Sequence, residues 1–334
     1  MRGRTRPGIA ARWIVGASAI LLAGCAGPQS TLDPAGHGAE QIAGLFWWMT
    51  GGAVVVWVAV VGLAVYAIRV RRSAHQARQA TLLIIGGGVI VPTVVLAVLL
   101  LFGLAMLPKL VARAPEGSLR IAVTGEQWWW RVRYPLANGE EVVLANEIRL
   151  PVGEPVELLL DSADVIHSFW VPPLGGKMDM IPGRQTRLTL NPTRTGTFRG
   201  VCAEFCGTAH ALMAFDVVVM EKAEFARWLE QQRQPAAEPA QEMIAQGREF
   251  FFSNGCSACH SIRGTAADGV VGPDLTHVGS RLSVGAGILP NEPETFRRWI
   301  ERTDKVKPGV HMPHFGMLPP EELSALAAYL ESLK

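Results

Sequence analysis

Two stretches of this chain are uncharged for longer than a bilayer is thick. Leu45 to Ile68 runs for 24 residues without a charge and Thr81 to Leu107 for 27. About 20 apolar residues in a helix cross the hydrocarbon core. In that medium a segment survives only if it satisfies its own backbone hydrogen bonds. The two stretches are therefore predicted to form a transmembrane hairpin, residues 45–108. Trp47, Trp48 and Tyr66 lie near the span ends, where aromatic rings favour the interface. The connector Arg69-Val-Arg-Arg-Ser-Ala-His-Gln-Ala-Arg78 carries four arginines, so the positive-inside rule puts it in the cytoplasm. The N-terminus and everything after Leu107 are then expected on the outer side of a bacterial plasma membrane.

The N-terminus agrees with export. Arg2, Arg4, Arg6 and Arg12 precede an apolar run, Trp13 to Ala23, that is too short to span. Residues 1–24 therefore read as a signal peptide. The run closes in Leu-Leu-Ala-Gly-Cys25, similar to a lipoprotein signal-peptidase site, which would leave a lipidated Cys25 as first residue of the mature chain. A polar segment, 25–44, leads into the hairpin. Net charge is only +2, which leaves no basic surface for nucleic acid, while 49% hydrophobic residues fit a membrane protein.

Beyond the hairpin, residues 109–232 alternate short apolar runs with Gly, Pro, Asn and Asp turns. Arg120–Val123, Glu141–Val143, Val156–Leu160, Thr186–Leu190 and Ala214–Met220 read as strands of a sandwich or barrel. A helical pattern from Glu221 to about Gln232 closes it. Residues 233–241 contain Gln234-Pro-Ala-Ala-Glu-Pro-Ala240, a Pro/Ala linker unable to form a core. Residues 242–334 form a further, helical domain.

The β region carries the stretch Cys202-Ala-Glu-Phe-Cys-Gly-Thr-Ala-His-Ala-Leu-Met213. Two thiols four apart, then an imidazole and a thioether, join an upstream His167 in Asp164-Val-Ile-His-Ser-Phe-Trp170. Soft sulfur with imidazole suits copper, and a second thiolate allows two coppers to be bridged. A tetrahedral zinc or a disulfide in an exported chain are the other readings of the same residues.

In the last domain Cys256-Ser-Ala-Cys-His260 is the attachment pattern for a c-type haem. The thiols add to the haem vinyls and His260 ligates iron. The chain's five cysteines are then Cys25, the pair Cys202 and Cys206, and the pair Cys256 and Cys259, with none left for a structural disulfide.

Together these motifs resemble subunit II of the cytochrome c oxidases, of the caa type in which a class I cytochrome c is fused at the C-terminus. The resemblance implies a multidomain fold: the two-helix hairpin, a cupredoxin-like β-barrel and an all-α cytochrome c domain. It implies a dinuclear copper centre, CuA, held by His167, Cys202, Cys206, His210 and Met213 with the backbone carbonyl of Glu204. The Glu204 side chain would reach a magnesium shared with subunit I. Pro273 would orient His260, and Met312, in a Met-Pro pair before the last helix, would be the distal iron ligand, with Met317 as the competitor. His311 and His314 are expected to face solvent, and His37, His75 and His277 are expected to be ordinary.

Gln127-Trp-Trp-Trp130 resembles the family's aromatic patch, which makes Trp128 the residue where electrons come in. Met178, Asp179 and Met180 resemble the loop facing subunit I. The implied activity is electron transfer from an upstream cytochrome c or bc complex through haem c and CuA to subunit I, where O2 is reduced; subunits I and III are the implied partners. Full copper ligation separates this chain from quinol oxidase subunits. Eight histidines are too few for the second copper cluster of a nitrous oxide reductase. An anchored electron carrier outside any oxidase is the remaining alternative. One departure stands out: the Glu found in many members seven residues before the proline of the second span is Ile85 here.

Overall fold

The computed structural model describes residues 25–69, 78, 81–136 and 138–334. The signal segment and residues 70–77 of the connector, with Arg71, Arg72 and His75, lie outside the described residues. The first apolar helix, α1, spans His37–Arg69. It starts well before Leu45, because Glu40 sits favourably in its first turn and that turn is fastened in place. The His37 N–H donates to the Asn191 carbonyl at 3.0 Å, and Thr193 donates to Glu40 at 2.9 Å.

The second apolar helix covers Leu82–Leu110. Residues Leu82–Ile90 form wide π-type turns, and α2, Val91–Leu110, follows. Pro92 is tolerated because it stands in the first turn of α2. Trp48 (79% exposed) and Leu82 (67%) are typical of these helices, whose apolar side chains point outward all round. Only an apolar surrounding satisfies such a surface. Their hydroxyls are satisfied within the helix: Thr50 donates to the Phe46 carbonyl and Thr93 to that of Val89.

Ten strands build a cupredoxin-like barrel of two sheets: β1 Leu119–Glu126, β2 Trp129–Pro135, β3 Glu141–Ala145, β4 Glu147–Pro151, β5 Val156–Ser162, β6 His167–Trp170, β7 Met178–Met180, β8 Thr186–Leu190, β9 Gly196–Cys202 and β10 Ala214–Met220. One sheet runs β3-β2-β1-β5-β8 and the other β4-β10-β9-β6-β7. The pairs β1/β5 and β4/β10 are parallel and the remainder antiparallel, so the chain must cross between sheets rather than meander. Strand β2 shows why the pattern folds this way. Trp130, Val132 and Tyr134 point into the core, while Trp129, Arg131 and Arg133 point outward. The Trp130 ring packs on Phe215 at 4.9 Å and Phe169 at 5.9 Å. The Tyr134 hydroxyl accepts the Arg149 N–H and donates to its carbonyl, satisfying a buried phenol.

Residues 25–36 lie along this barrel rather than leading freely into α1. The Arg199 N–H donates to Pro28, and Ala35 donates to Pro173. Asp33 pairs with Arg194 at 3.0 Å. Helix α3, Lys222–Arg233, covers the barrel with Phe225 and Trp228.

The C-terminal domain contains α4 Glu242–Ser253, a short hairpin of β11 Ser283–Val284 and β12 Leu289–Pro290, α5 Pro293–Glu301, α6 Thr303–Val306 and α7 Pro320–Ser332. Helices α4 and α7 pack through Phe251 and Tyr329, ring centroids 5.9 Å apart. The intervening Pro/Ala segment is not loose. Gln234 O accepts from His277 Nε2 at 3.0 Å, and the Ala236 N–H donates to the Arg263 carbonyl at 2.9 Å. A segment unable to make a core of its own is thus laid down against the domain it leads to.

Candidate metal and haem centres

The start of β6 and the turn between β9 and β10 bring the soft donors together at one end of the barrel. His167 opens β6, Cys202 closes β9, and the turn between β9 and β10 carries Glu204, Cys206, His210 and Met213. Pairing of Phe169 with Cys202 in the β6/β9 ladder puts the distant His167 beside the thiols. The donors form a row. His167 Nδ1 is 3.8 Å from Cys202 Sγ, which is 3.8 Å from Cys206 Sγ. Cys206 Sγ is in turn 3.5 Å from His210 Nδ1 and 3.8 Å from Met213 Sδ. The Glu204 carbonyl oxygen lies 3.2 Å from Cys202 Sγ. His167, Cys202, Cys206 and Met213 are buried.

Electrostatics mark this row as a place for positive charge. The Cys206 thiol, facing Cys202 Sγ, drives Cys202 far below the ordinary thiol range, and the resulting thiolate holds Cys206 far above it. The pair therefore keeps a single proton. Burial pulls the His167 imidazole down, but Cys202 and Asp164 outweigh it and hold it above its usual value. A buried anion propped up by a proton and an imidazole is a donor set that cations discharge. The residues fit copper.

Several groups position the ligands without being donors. Asp164 Oδ1 accepts from His167 Nε2 at 2.8 Å, which turns Nδ1 towards the sulfurs. Asp164 is itself fixed by the N–H groups of Val165 and Gln127, both at 2.6 Å. Gly125 lies against the ring: a Cβ there would sit 2.7 Å from His167 Cδ2. The sequence reading passed over Asp164 as a functional residue, although an acid three residues before a ligating histidine is a usable signal. Asp164→Asn should weaken copper binding by about 10- to 100-fold, measured by competition with a chelator, with the rest of the barrel intact.

Trp128 is only 7% exposed. Its Nε1–H donates to the Cys206 carbonyl at 2.9 Å, and the Gln127 side chain donates to the same oxygen at 2.7 Å. The tryptophan is thus one hydrogen bond from a ligand residue. Met178 and Asp179 are half-buried in β7 and Met180 is buried. Asp179 accepts from Lys177 and Ser168, and the Glu204 carboxylate is 3.9 Å from Lys177.

In the C-terminal domain Cys256 is half-buried, Cys259 is exposed, and both thiols are free. His260 Nδ1–H donates to the Pro273 carbonyl at 2.8 Å, which leaves Nε2 for iron. Burial keeps this imidazole below its usual pKa, hence neutral, as ligation requires. Met312 is half-buried at the edge of the domain core and its carbonyl accepts from Thr303, whereas Met317 is 70% exposed. His311 and His314 are exposed. His277 is buried and bonded to Gln234. These residues fit a covalent haem. Cys25 is half-buried, and its carbonyl accepts from Ser30 at 2.6 Å.

Fold and site define a class: a chain with two membrane-length helices, a cupredoxin-like metal barrel and a cytochrome domain. Comparison with known proteins narrows it. A family profile described as "Cytochrome C oxidase subunit II, periplasmic domain" matches residues 136–221, and one described as "Cytochrome c" matches residues 244–334. Cytochrome c oxidase subunit 2 of Alkalihalophilus pseudofirmus is 35% identical, over 94% of this chain and 94% of that protein. Its counterpart in Bacillus subtilis is 30% identical, over 94% and 95%. The crystal structure of the periplasmic domain of subunit II from Bradyrhizobium japonicum is 36% identical over 36% of this chain and 97% of that one, with a TM-score of 0.34. The chain belongs to the cytochrome c oxidase subunit II family, with a cytochrome c domain in the same polypeptide.

Proposed function

We propose that this chain takes electrons into a proton-pumping oxidase through its own haem c and CuA centre and delivers them to subunit I for reduction of O2. The observation that carries the reading is the donor row itself. Two sulfurs stand side by side with an imidazole at each end and a thioether beside Cys206. Such a row supports a bridged pair of metals better than the tetrahedron of one zinc. When bound, the haem would accept one electron at a time and the paired coppers would share it between two metals, with little change of geometry.

The protein's own part is to bind and orient. Cys256 and Cys259 would tether the haem, and His260, aligned by Pro273, and Met312 would hold its iron. Asp164 and Gly125 hold the His167 ring. The Trp128 indole, bonded to the Cys206 carbonyl, is the group through which electrons reach the copper row. Exposed Phe205, beside His210 at 5.7 Å, with Asp179 of β7 and Glu204 of the β9–β10 turn, forms the face offered to subunit I, where Glu204 would help hold magnesium. An upstream cytochrome c or bc complex is the donor, and subunit III completes the assembly.

In this reading residues 1–24 are removed on export and Cys25 is lipidated. The domains follow the boundaries 25–44, 45–108, 109–232, 233–241 and 242–334, with both redox domains on the outer side. With Ile85 at that position, proton entry here differs or comes from elsewhere.

Metal and haem analysis of the full chain, produced with copper and cytochrome maturation, tests the proposal. Two coppers and one covalent haem per chain, co-purifying with an O2-reducing subunit I, are expected. Zinc in place of copper, or a loaded chain that never joins an oxidase, would leave only an anchored carrier.

A further inference from the structure

The C-terminal domain is seated directly over Trp128. Lys307, just after α6, is 2% exposed and reaches across to the barrel. Its ammonium donates to the Trp128 carbonyl at 2.6 Å and to the Gly285 carbonyl of its own domain at 3.0 Å. Among the described residues it has these two carbonyl partners and no carboxylate. Burial pulls this lysine down to about 7, and the two carbonyl hydrogen bonds are what offset its loss of water. Two residues on, Gly309 lies against the indole, where a Cβ would stand 3.0 Å from Trp128 Cη2. Three residues further is Met312.

The rest of the seat is polar and spread around this point. The tip of the β11/β12 hairpin meets the barrel beside Met213: the Ala214 N–H donates to the Ala286 carbonyl at 3.1 Å, and Arg199 donates to Gly287 at 2.7 Å. On the other side Arg131 donates to the Val270 carbonyl at 2.9 Å. Glu147 accepts from the Leu282 N–H at 2.8 Å. These contacts are hydrogen bonds to backbone groups, some of them buried, as at Ala214 and Ala286. Lys307 is the one lysine buried in the seat.

We infer that Lys307 is the latch that seats the cytochrome domain on the barrel, with Gly309 providing the close approach, and that the seated domain closes Trp128 to any separate donor protein. A donor must then dock on the cytochrome domain. Residues 307–312 accordingly serve twice, as the latch against Trp128 and as the arm bearing Met312. The functional meaning of the closure rests on Trp128 being the electron inlet; the closure itself does not.

The test is hydroxyl-radical footprinting of the full chain in its membrane complex, comparing the native protein with Lys307→Met and Gly309→Leu. Trp128 should be protected in the native protein. Its oxidation should rise roughly tenfold in either variant, the factor equivalent to losing a hydrogen bond of about 1.4 kcal/mol, while the copper absorption, whose ligands lie on the barrel, stays unchanged. Either of two results would overturn the latch: native Trp128 oxidised as fast as in the variants, or protection retained in both variants. Trp128→Phe, assayed separately for turnover, addresses the inlet reading. If turnover is unaffected, that reading fails and the latch stands or falls on the footprint alone.

Discussion

Cys206→Ser should abolish the copper pair and leave the haem in place. Cys206 Sγ is the hub of the donor row, within 3.8 Å of Cys202 Sγ and Met213 Sδ and 3.5 Å from His210 Nδ1. Serine preserves the shape of the side chain but presents a hydroxyl that stays protonated at neutral pH and is a hard donor, unsuited to bridging soft metals. The remaining Cys202 thiolate, with His167, could hold one ion at most. Copper content should fall from two per chain to one or none. Electron delivery should fall by at least ~100-fold, the upper range for loss of a mere supporting group. The haem absorption, which depends on Cys256, Cys259 and His260 in another domain, should not change. Metal analysis with the optical spectrum reads both outcomes in one sample. Loss of haem together with copper would mean that the variant has misfolded; two coppers retained would show that Cys206 is not a ligand.

Trp130→Ala should be the most damaging single change to the barrel. The side chain is wholly buried, and its ring meets Phe215, Phe169 and the imidazole of His167 at 4.9, 5.9 and 6.2 Å. Truncation removes a large apolar surface and leaves a cavity that the two sheets cannot close, at a cost of about 3–5 kcal/mol. The void opens beneath His167, so copper affinity should fall along with stability. Trp130→Phe should cost far less. The indole Nε1–H is a buried donor with no hydrogen-bond partner among the described residues, and losing this unmet polar group offsets part of the lost contact. Calorimetry of the copper-loaded and chelator-stripped chain, with the native protein as reference, separates the two effects. Equal melting of the alanine variant and the native chain would place Trp130 outside the cooperative core.

The chemistry of this protein was legible in its sequence because it is local. The Cys202–Met213 stretch and the Cys256–His260 pattern each bring most of their donors within one turn or loop, and the uncharged runs at 45–68 and 81–107 report the membrane directly from composition. Strands were visible as runs of aliphatic and β-branched residues, as in Val156–Leu160 and Ala214–Met220. Strands β2, β4, β6, β7 and β9, rich in aromatic, charged or small residues, emerge only from their neighbours in the sheets. His167 was grouped with the cysteines by donor type and by resemblance, whereas physically it is the β6/β9 register that brings them together.

Tertiary structure decided everything that depends on groups far apart in the chain. Asp164 as the prop of His167, Gly125 as the space for its ring and the shared proton of the two thiols all arise from side chains meeting across strands. The seating of the cytochrome domain is of the same kind. Lys307 and Trp128 are 179 residues apart and neither belongs to a recognisable motif with the other, so no local pattern could pair them. The Pro/Ala segment reads only as a linker for the same reason: its composition disfavours a core of its own but says nothing of the surface against which Ala236 and Gln234 are hydrogen-bonded. The sequence by itself determined the donor types and their local spacing, because each motif lies within one loop. Only the folded chain decided what lies against Trp128, because Lys307 and Gly309 reach it from another domain.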